Sequence, residues 1–244
     1  MVLIELIDIL FGLLSLVTVI FAFVVGIKIL SKYKSFKDKN FIYVGLMWIG
    51  IYSPWWSSSL SFLLMVFSNN TVSLTLGLYF IFALGLVPFF MIVWLIAFTD
   101  MVIKKNRNLI IGIPAIITIA YEIYLIFSVI VSPVLIGEFS EASIFDVTYR
   151  GISQIYLIFI VLLILSTGVL FSRQSLKSDN PELKLKGKLL LSAWILWTAG
   201  AILDSAIPLF IFTLLLTRII LISSSILFYL GFLLPNFIKK RIVQ

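Results

Sequence analysis

The sequence contains no cysteine and no histidine, and only 12% of its 244 residues are charged. Without cysteine there is no disulfide and no thiolate. Without histidine there is no imidazole to bind a metal or to move a proton near neutral pH. The usual carriers of nucleophilic and acid–base catalysis are therefore missing, and neither an enzyme nor a metal site nor a cofactor is expected. Long polar stretches are absent too. The longest segment between apolar runs, about 132–151, is expected to be a loop or a short re-entrant piece, so residues 1–244 form one domain.

What the chain does have is apolar surface. Hydrophobic residues make up 62% and the mean hydropathy is +1.20, whereas soluble domains run at roughly 45–50% apolar and about 25% charged. A water-soluble fold could not hide so much apolar surface, but lipid accepts helices that are apolar all round. The expected class is an all-α, multi-pass protein of the cell membrane, with membrane lipids as its immediate partners. A net charge of +7 could point to nucleic acid, but that needs basic residues gathered on one folded face. Here they fall in the gaps between apolar runs, as cytoplasmic loops beside anionic lipid do. No nucleic-acid partner is expected.

Seven spans follow from the apolar runs, at about 9–30, 41–67, 74–99, 109–131, 152–171, 189–208 and 212–234. Each has about 20 residues or more, enough for a ~30 Å hydrocarbon core at 1.5 Å per residue. The short end before the first span has Glu5 and Asp8 and no nearby base, and no positive n-region. It is read as lying outside, ahead of a true span rather than a signal peptide. Lys32, Lys34, Lys37 and Lys39 then mark an inner loop, as do Lys104, Lys105 and Arg107, and Arg173 to Lys188. Glu138, Glu141 and Asp146 mark an outer one. Sixteen of the eighteen Lys and Arg fall on the inner side, Arg150 falls outside and Arg218 lies within a span. This asymmetry places the N-terminus outside and the C-terminus in the cytoplasm. The last two spans are joined by almost no loop and should form a tight outer hairpin.

Ionisable groups within spans carry the most information, since each costs roughly 2.5–3.5 kcal/mol on insertion scales and is retained for pairing or function. They are Glu122, Asp204 and Arg218. Asp204 and Arg218 stand at matching depths on consecutive antiparallel helices, in their outer halves, so an ion pair is expected. The pair is either a clamp between the last two helices, the simpler reading, or a site where Arg218 also meets an anionic ligand group from an outward cavity. Glu122, between Tyr121 and Tyr124, is either a neutral, hydrogen-bonded structural group or a proton-titrating one. Pro54 should kink the second span and Pro88 the third. Trp55, Trp56 and Trp197 lie near the same depth, which suggests an aromatic-lined cavity open to the outer side.

Three families of seven-helix protein share this layout. Retinal proteins need a Schiff-base lysine in the last helix, and none lies in 212–234. Sugar-transporter-like proteins show proline patterns that Pro54, Pro88, Pro114 and Pro208 do not match. Residues 223–241, reading SSSILFYLGFLLPNFIKKR, resemble the end of the seven-helix sensor modules that precede archaeal and other prokaryotic histidine kinases. The kinase part is absent, so the resemblance implies a receptor that signals through a cytoplasmic or membrane partner. The leading expectation is a non-enzymatic sensor that binds a small molecule at Trp55, Trp56, Glu122, Trp197, Asp204 and Arg218. A small-solute or proton-coupled transporter is the alternative, and a structural or lipid-binding membrane protein the third reading.

The orientation has a direct test in a chain without cysteine. Single cysteines introduced at Ser35 and Ser140 should react with a membrane-impermeant maleimide from opposite sides of sealed vesicles. Reaction of both from one side would overturn the topology.

Overall fold

A computed structural model of the chain describes residues 5–206 and 210–235. Residues 207–209 and 236–244, the latter including Lys239, Lys240 and Arg241, lie outside that range, so the expected outer hairpin and the last inner segment are not described. The elements in chain order are α1 (Leu6–Ser31), α2 (Tyr33–Phe36), α3 (Asn40–Gly50), α4 (Pro54–Phe67), α5 (Leu76–Leu84), α6 (Val87–Met101) and α7 (Arg107–Val131). A 3₁₀ turn (Pro133–Leu135), strands β1 (Gly137–Phe139) and β2 (Val147–Tyr149), and helices α8 (Gly151–Leu176), α9 (Pro181–Ala206) and α10 (Ile211–Leu233) complete the fold.

Six helical segments are long and apolar enough to cross a membrane. Their outward faces carry bare aliphatic side chains. On α7, Ile116, Ile123 and Ile130 are all largely exposed, which suits lipid and not water. The chain is thus a helical, multi-pass membrane bundle.

The two prolines expected to bend helices break them. Pro54 has no N–H with which to hold the Gly50 carbonyl. The Ser53 N–H takes that carbonyl instead, at 3.0 Å, so the chain tightens for one turn before α4 begins at Pro54. The segment 40–67 is therefore two short helices, each below the length of a single span. Together they still run back along α1. A Cβ on Gly12 would fall inside the ring of Phe62, and Gly26 and Gly45 approach so closely that a Cβ on either would meet the other's carbonyl oxygen at 2.7 Å. At Pro88 the interruption is slighter: Gly85 N–H closes α5 on the Ile81 carbonyl and α6 starts at Val87, the two together still forming one segment long enough to span. The two breaks face each other, because the Ser53 hydroxyl donates to the Ala83 carbonyl at 3.1 Å and that of Ser57 to the Tyr79 carbonyl at 2.6 Å.

Helices α8, α9 and α10 form an antiparallel row. Gly168 lies against Trp194, Gly200 against Leu221 and Gly231 against Leu190, small residues allowing the close approach. Trp48 of α3 stacks on Phe228 of α10 at 3.7 Å and meets Trp194 of α9 edge-on, while Trp94 of α6 donates to the Thr167 hydroxyl at 2.8 Å. This buried aromatic layer fills the half of the bundle nearer the basic loops.

The 132–150 segment is not an irregular loop. It forms a two-stranded antiparallel hairpin with Gly137 opposite Tyr149. Its Val-Thr-Tyr strand is rich in β-formers, but three residues give no periodicity that a sequence reading could detect.

Candidate functional site

The expected ion pair is present. Arg218 Nη1 lies 2.5 Å from Asp204 Oδ1, with Arg218 2% and Asp204 15% exposed. Two further donors converge on the same carboxylate. Trp55 Nε1 donates to Oδ2 at 2.8 Å and the Thr217 hydroxyl to Oδ1 at 3.4 Å. The Arg218 guanidinium also lies over the Trp55 ring, 5.9 Å from its centroid, a cation–π contact strengthened by the dry surroundings. Pro54 explains the placement of Trp55: as the first residue of α4 it sets the helix phase that turns the Trp55 N–H towards α9.

The other predicted residues separate. Trp55 and Trp197 are 5% and 3% exposed. Trp56, one residue on, turns to the opposite side and packs on Phe23 and Phe90, because neighbouring helix positions cannot face the same way. Glu122 sits half-buried on α7, flanked by Tyr121, whose ring stacks on Tyr156 at 3.7 Å. No contact joins Glu122 to the Asp204–Arg218 pair. The six candidates therefore do not form one site. Trp55, Asp204 and Arg218 meet, while Trp56 and Glu122 stand elsewhere.

The 140–146 loop between the strands packs against the same end of the bundle as the pair. Phe145 is 1% exposed and packs into a small core with Phe11 of α1, Met65 of α4 and Leu214 of α10. Leu214 stands one turn of α10 before Arg218, so Phe145 packs within about a turn of the pair. Hydrogen bonds latch the loop in place. Buried Asp8 of α1 accepts from the Ser143 hydroxyl at 2.7 Å and from the Ile144 N–H at 3.1 Å. The Tyr79 hydroxyl of α5 donates to the Phe145 carbonyl at 3.1 Å and is bonded to Ser58 at 2.8 Å. A sequence reading sees Asp8 and Asp146 only as outer charges, and nothing in the sequence pairs Tyr79 or Phe145 with the site.

No family model, curated protein or solved structure matches the chain. The chemistry of the site therefore stands on its geometry alone.

Asp146, at the end of the loop, lies within electrostatic reach of the pair. Burial, and then the negative charge of Asp204, push its carboxyl up to about 7. Arg218, the Val147 N–H and the Ser140 hydroxyl oppose the shift. Below Asp204, Tyr52 of the α3–α4 break donates to the Leu221 carbonyl at 2.9 Å and accepts from Ser225 at 2.9 Å.

Two outcomes follow. Asp204→Asn and Arg218→Gln should each destabilise the protein by about 3–5 kcal/mol, and the double variant by less than their sum, since one substitution strands a charge and two do not. Additive losses in a thermal-stability cycle would mean that the two groups do not interact.

The second outcome concerns the cap. The Asp146 carboxyl is protonated in the closed cap up to about pH 7, but in the open, solvated loop only up to the ordinary value of 3.8. The closed form binds the extra proton, so closure is most stable at low pH. It weakens as pH rises from about 4 to about 7 and is constant above that. Hydrogen exchange in 140–147, corrected for intrinsic rates, should accelerate over that window. Asp146→Asn should remove the dependence, which separates Asp146 from Asp8, Glu138 and Glu141, the other cap carboxylates.

Proposed function

We propose that this chain is a non-enzymatic, seven-pass membrane sensor, N-terminus outside and C-terminus in the cytoplasm, whose outer site is held shut by its own α7–α8 connection. The seventh pass is the broken pair α3–α4. It is supported by the antiparallel run of that pair along α1, from Gly12 beside Phe62 to Gly26 beside Gly45. The orientation is supported by the segregation of charge: the cap carries Asp8, Glu138, Glu141 and Asp146, and the opposite loops carry Lys32 to Lys39, Lys104 to Arg107, and Lys177.

The observation that carries the sensor reading is the Phe145 plug. A purely structural clamp between α9 and α10 has no use for a loop inserted over it and tied by separate hydrogen bonds to α1 and α5. A ligand arriving from outside displaces Phe145 and meets donor capacity on Arg218 Nε, which is buried and without an acceptor among the described residues. Displacement relaxes the pair, and the change reaches the inner ends of α9 and α10 through their shared interface, where a partner reads it. The likeness of 223–241 to kinase-linked sensor modules agrees with this reading.

A carrier is the second reading, favoured by the two helix breaks that face each other at Ser53 and Ala83, since broken helices build the sites of many transporters. One preparation separates the two. The protein carrying a polarity-sensitive dye at a cysteine in place of Ser140, reconstituted in liposomes, is exposed to a panel of small solutes. A sensor gives a dye response with no solute flux. Flux of a responding solute would establish the carrier, and the absence of any dye response to solute or pH would remove the plug from the mechanism.

A further inference from the structure

We propose that the cleft between the end of α6 and the last turns of α8 binds an anionic phospholipid. The proposal rests on the membrane reading and not on the sensor reading, so either can fail without the other. The cleft has a volume of about 340 Å³ and is lined by Val102, Leu170, Arg173, Gln174 and Lys177. Leu170, Arg173 and Gln174 of α8 and its C-cap Lys177 are spaced i, i+3, i+4 and i+7, which places them on one helix face. Polar and apolar chemistry separate along that face. Arg173, Gln174 and Lys177 stand towards the helix end, and Leu170 lies about 10 Å deeper than Lys177 at 1.5 Å per residue, with Val102 lining the α6 side. That drop matches the passage from lipid headgroup to the first acyl carbons.

The charge in this cleft is uncompensated. Of the four arginines among the described residues, Arg107 pairs with Asp100 at 2.8 Å, Arg150 pairs with Glu138, and Arg218 pairs with Asp204. Arg173 forms no ion pair among the described residues, and neither does Lys177. The one acid that Arg173 could approach from α6, Asp100, is engaged by Arg107, and Asp179 stands exposed beyond the helix end. A planar guanidinium and an ammonium one turn apart suit a phosphodiester, the arginine in a bidentate manner. The Leu170–Val102 floor gives a free phosphate nothing but gives an acyl chain a seat.

A second cleft, of about 360 Å³, repeats the arrangement on the α6–α7 connection: Lys105 and Asn106 stand beyond the helix end, with Leu109, Ile110 and Ile113 below. Basic heads above apolar floors at one end of the bundle are the features by which clefts between transmembrane helices hold acidic lipid.

Native mass spectrometry from micelles containing equal amounts of phosphatidylglycerol and phosphatidylcholine provides the test. The wild-type protein should retain phosphatidylglycerol preferentially. In Arg173→Gln/Lys177→Gln that preference should fall on the order of ten-fold, while Arg173→Lys keeps most of it. Lys34→Gln/Lys37→Gln, which removes the same charge from another loop, should leave it unchanged. Both altered pairs are exposed, so folding is preserved. Unchanged preference in the Arg173/Lys177 variant, or an equal loss in the Lys34/Lys37 variant, would overturn the proposal. Displacement of the lipid by inorganic phosphate would replace it with a free-anion site.

Discussion

A carboxylate and a guanidinium held in an apolar bundle must satisfy each other, and the positions of three helices depend on how they do so. Desolvating both charges is compensated only by close geometry and by hydrogen bonds to the remaining lone pairs. Asp204 obtains these from Arg218, Trp55 and Thr217. The pair therefore fixes more than the α9–α10 register. Because one donor is the indole of Trp55, it also fixes the rotation of α4, which in turn depends on the break at Pro54. Gly200, against Leu221, lets α9 and α10 come close enough for the contact to form.

The bundle divides into layers along its length. The half nearer the basic loops is an aromatic core of Trp48, Trp94, Trp194 and Phe228, held by stacking and edge contacts with few polar demands. The other half is a polar lattice of Asp204, Arg218, Tyr52 and the Ser53–Ser58 turn of α4, sealed by Phe145. Apolar contact tolerates small shifts, whereas a charged lattice in low dielectric has few arrangements that satisfy every group. The cap is the weakest member there, since it is held by a few hydrogen bonds and one aromatic side chain rather than by a continuous helix interface.

The sequence made six of the apolar spans, the disturbed helix geometry at Pro54 and Pro88 (as kinks rather than breaks) and the Asp204–Arg218 contact legible, each for a local reason: run length, a missing N–H, and equal depth on adjoining helices. It could not show that Trp55 is the third member, because which of two neighbouring tryptophans faces the pair is decided by the phase that the break imposes. Trp56 and Glu122 were drawn in by depth alone, and depth does not specify a helix face. The cap was hidden more completely. Its strands are three residues long, and its anchors, Asp8, Tyr79 and Phe145, lie far apart in the chain with no shared pattern. A loop reading of 132–150 followed from its length and acidity, and neither property records that Phe145 turns inward.

The two helix breaks bear on the choice between sensor and carrier through the hydrogen bonds left unmade. Carriers that use broken helices present unwound carbonyls and helix ends to the substrate near the membrane midplane. Here the Gly50 carbonyl is taken by the Ser53 N–H, the Ala83 carbonyl by the Ser53 hydroxyl and the Tyr79 carbonyl by that of Ser57. Tyr52 is occupied by Leu221 and Ser225. The breaks therefore spend their polar groups on each other and serve to join α3–α4 to α5–α6. Unused donor capacity among the described residues includes Arg218 Nε, in the pair itself. A solute crossing the bundle would have to undo the mutual bonding of the breaks, whereas one that enters at Phe145 meets a free donor without disturbing them. On the proposed reading, that difference favours a protein that registers a solute at the capped end over one that passes it through.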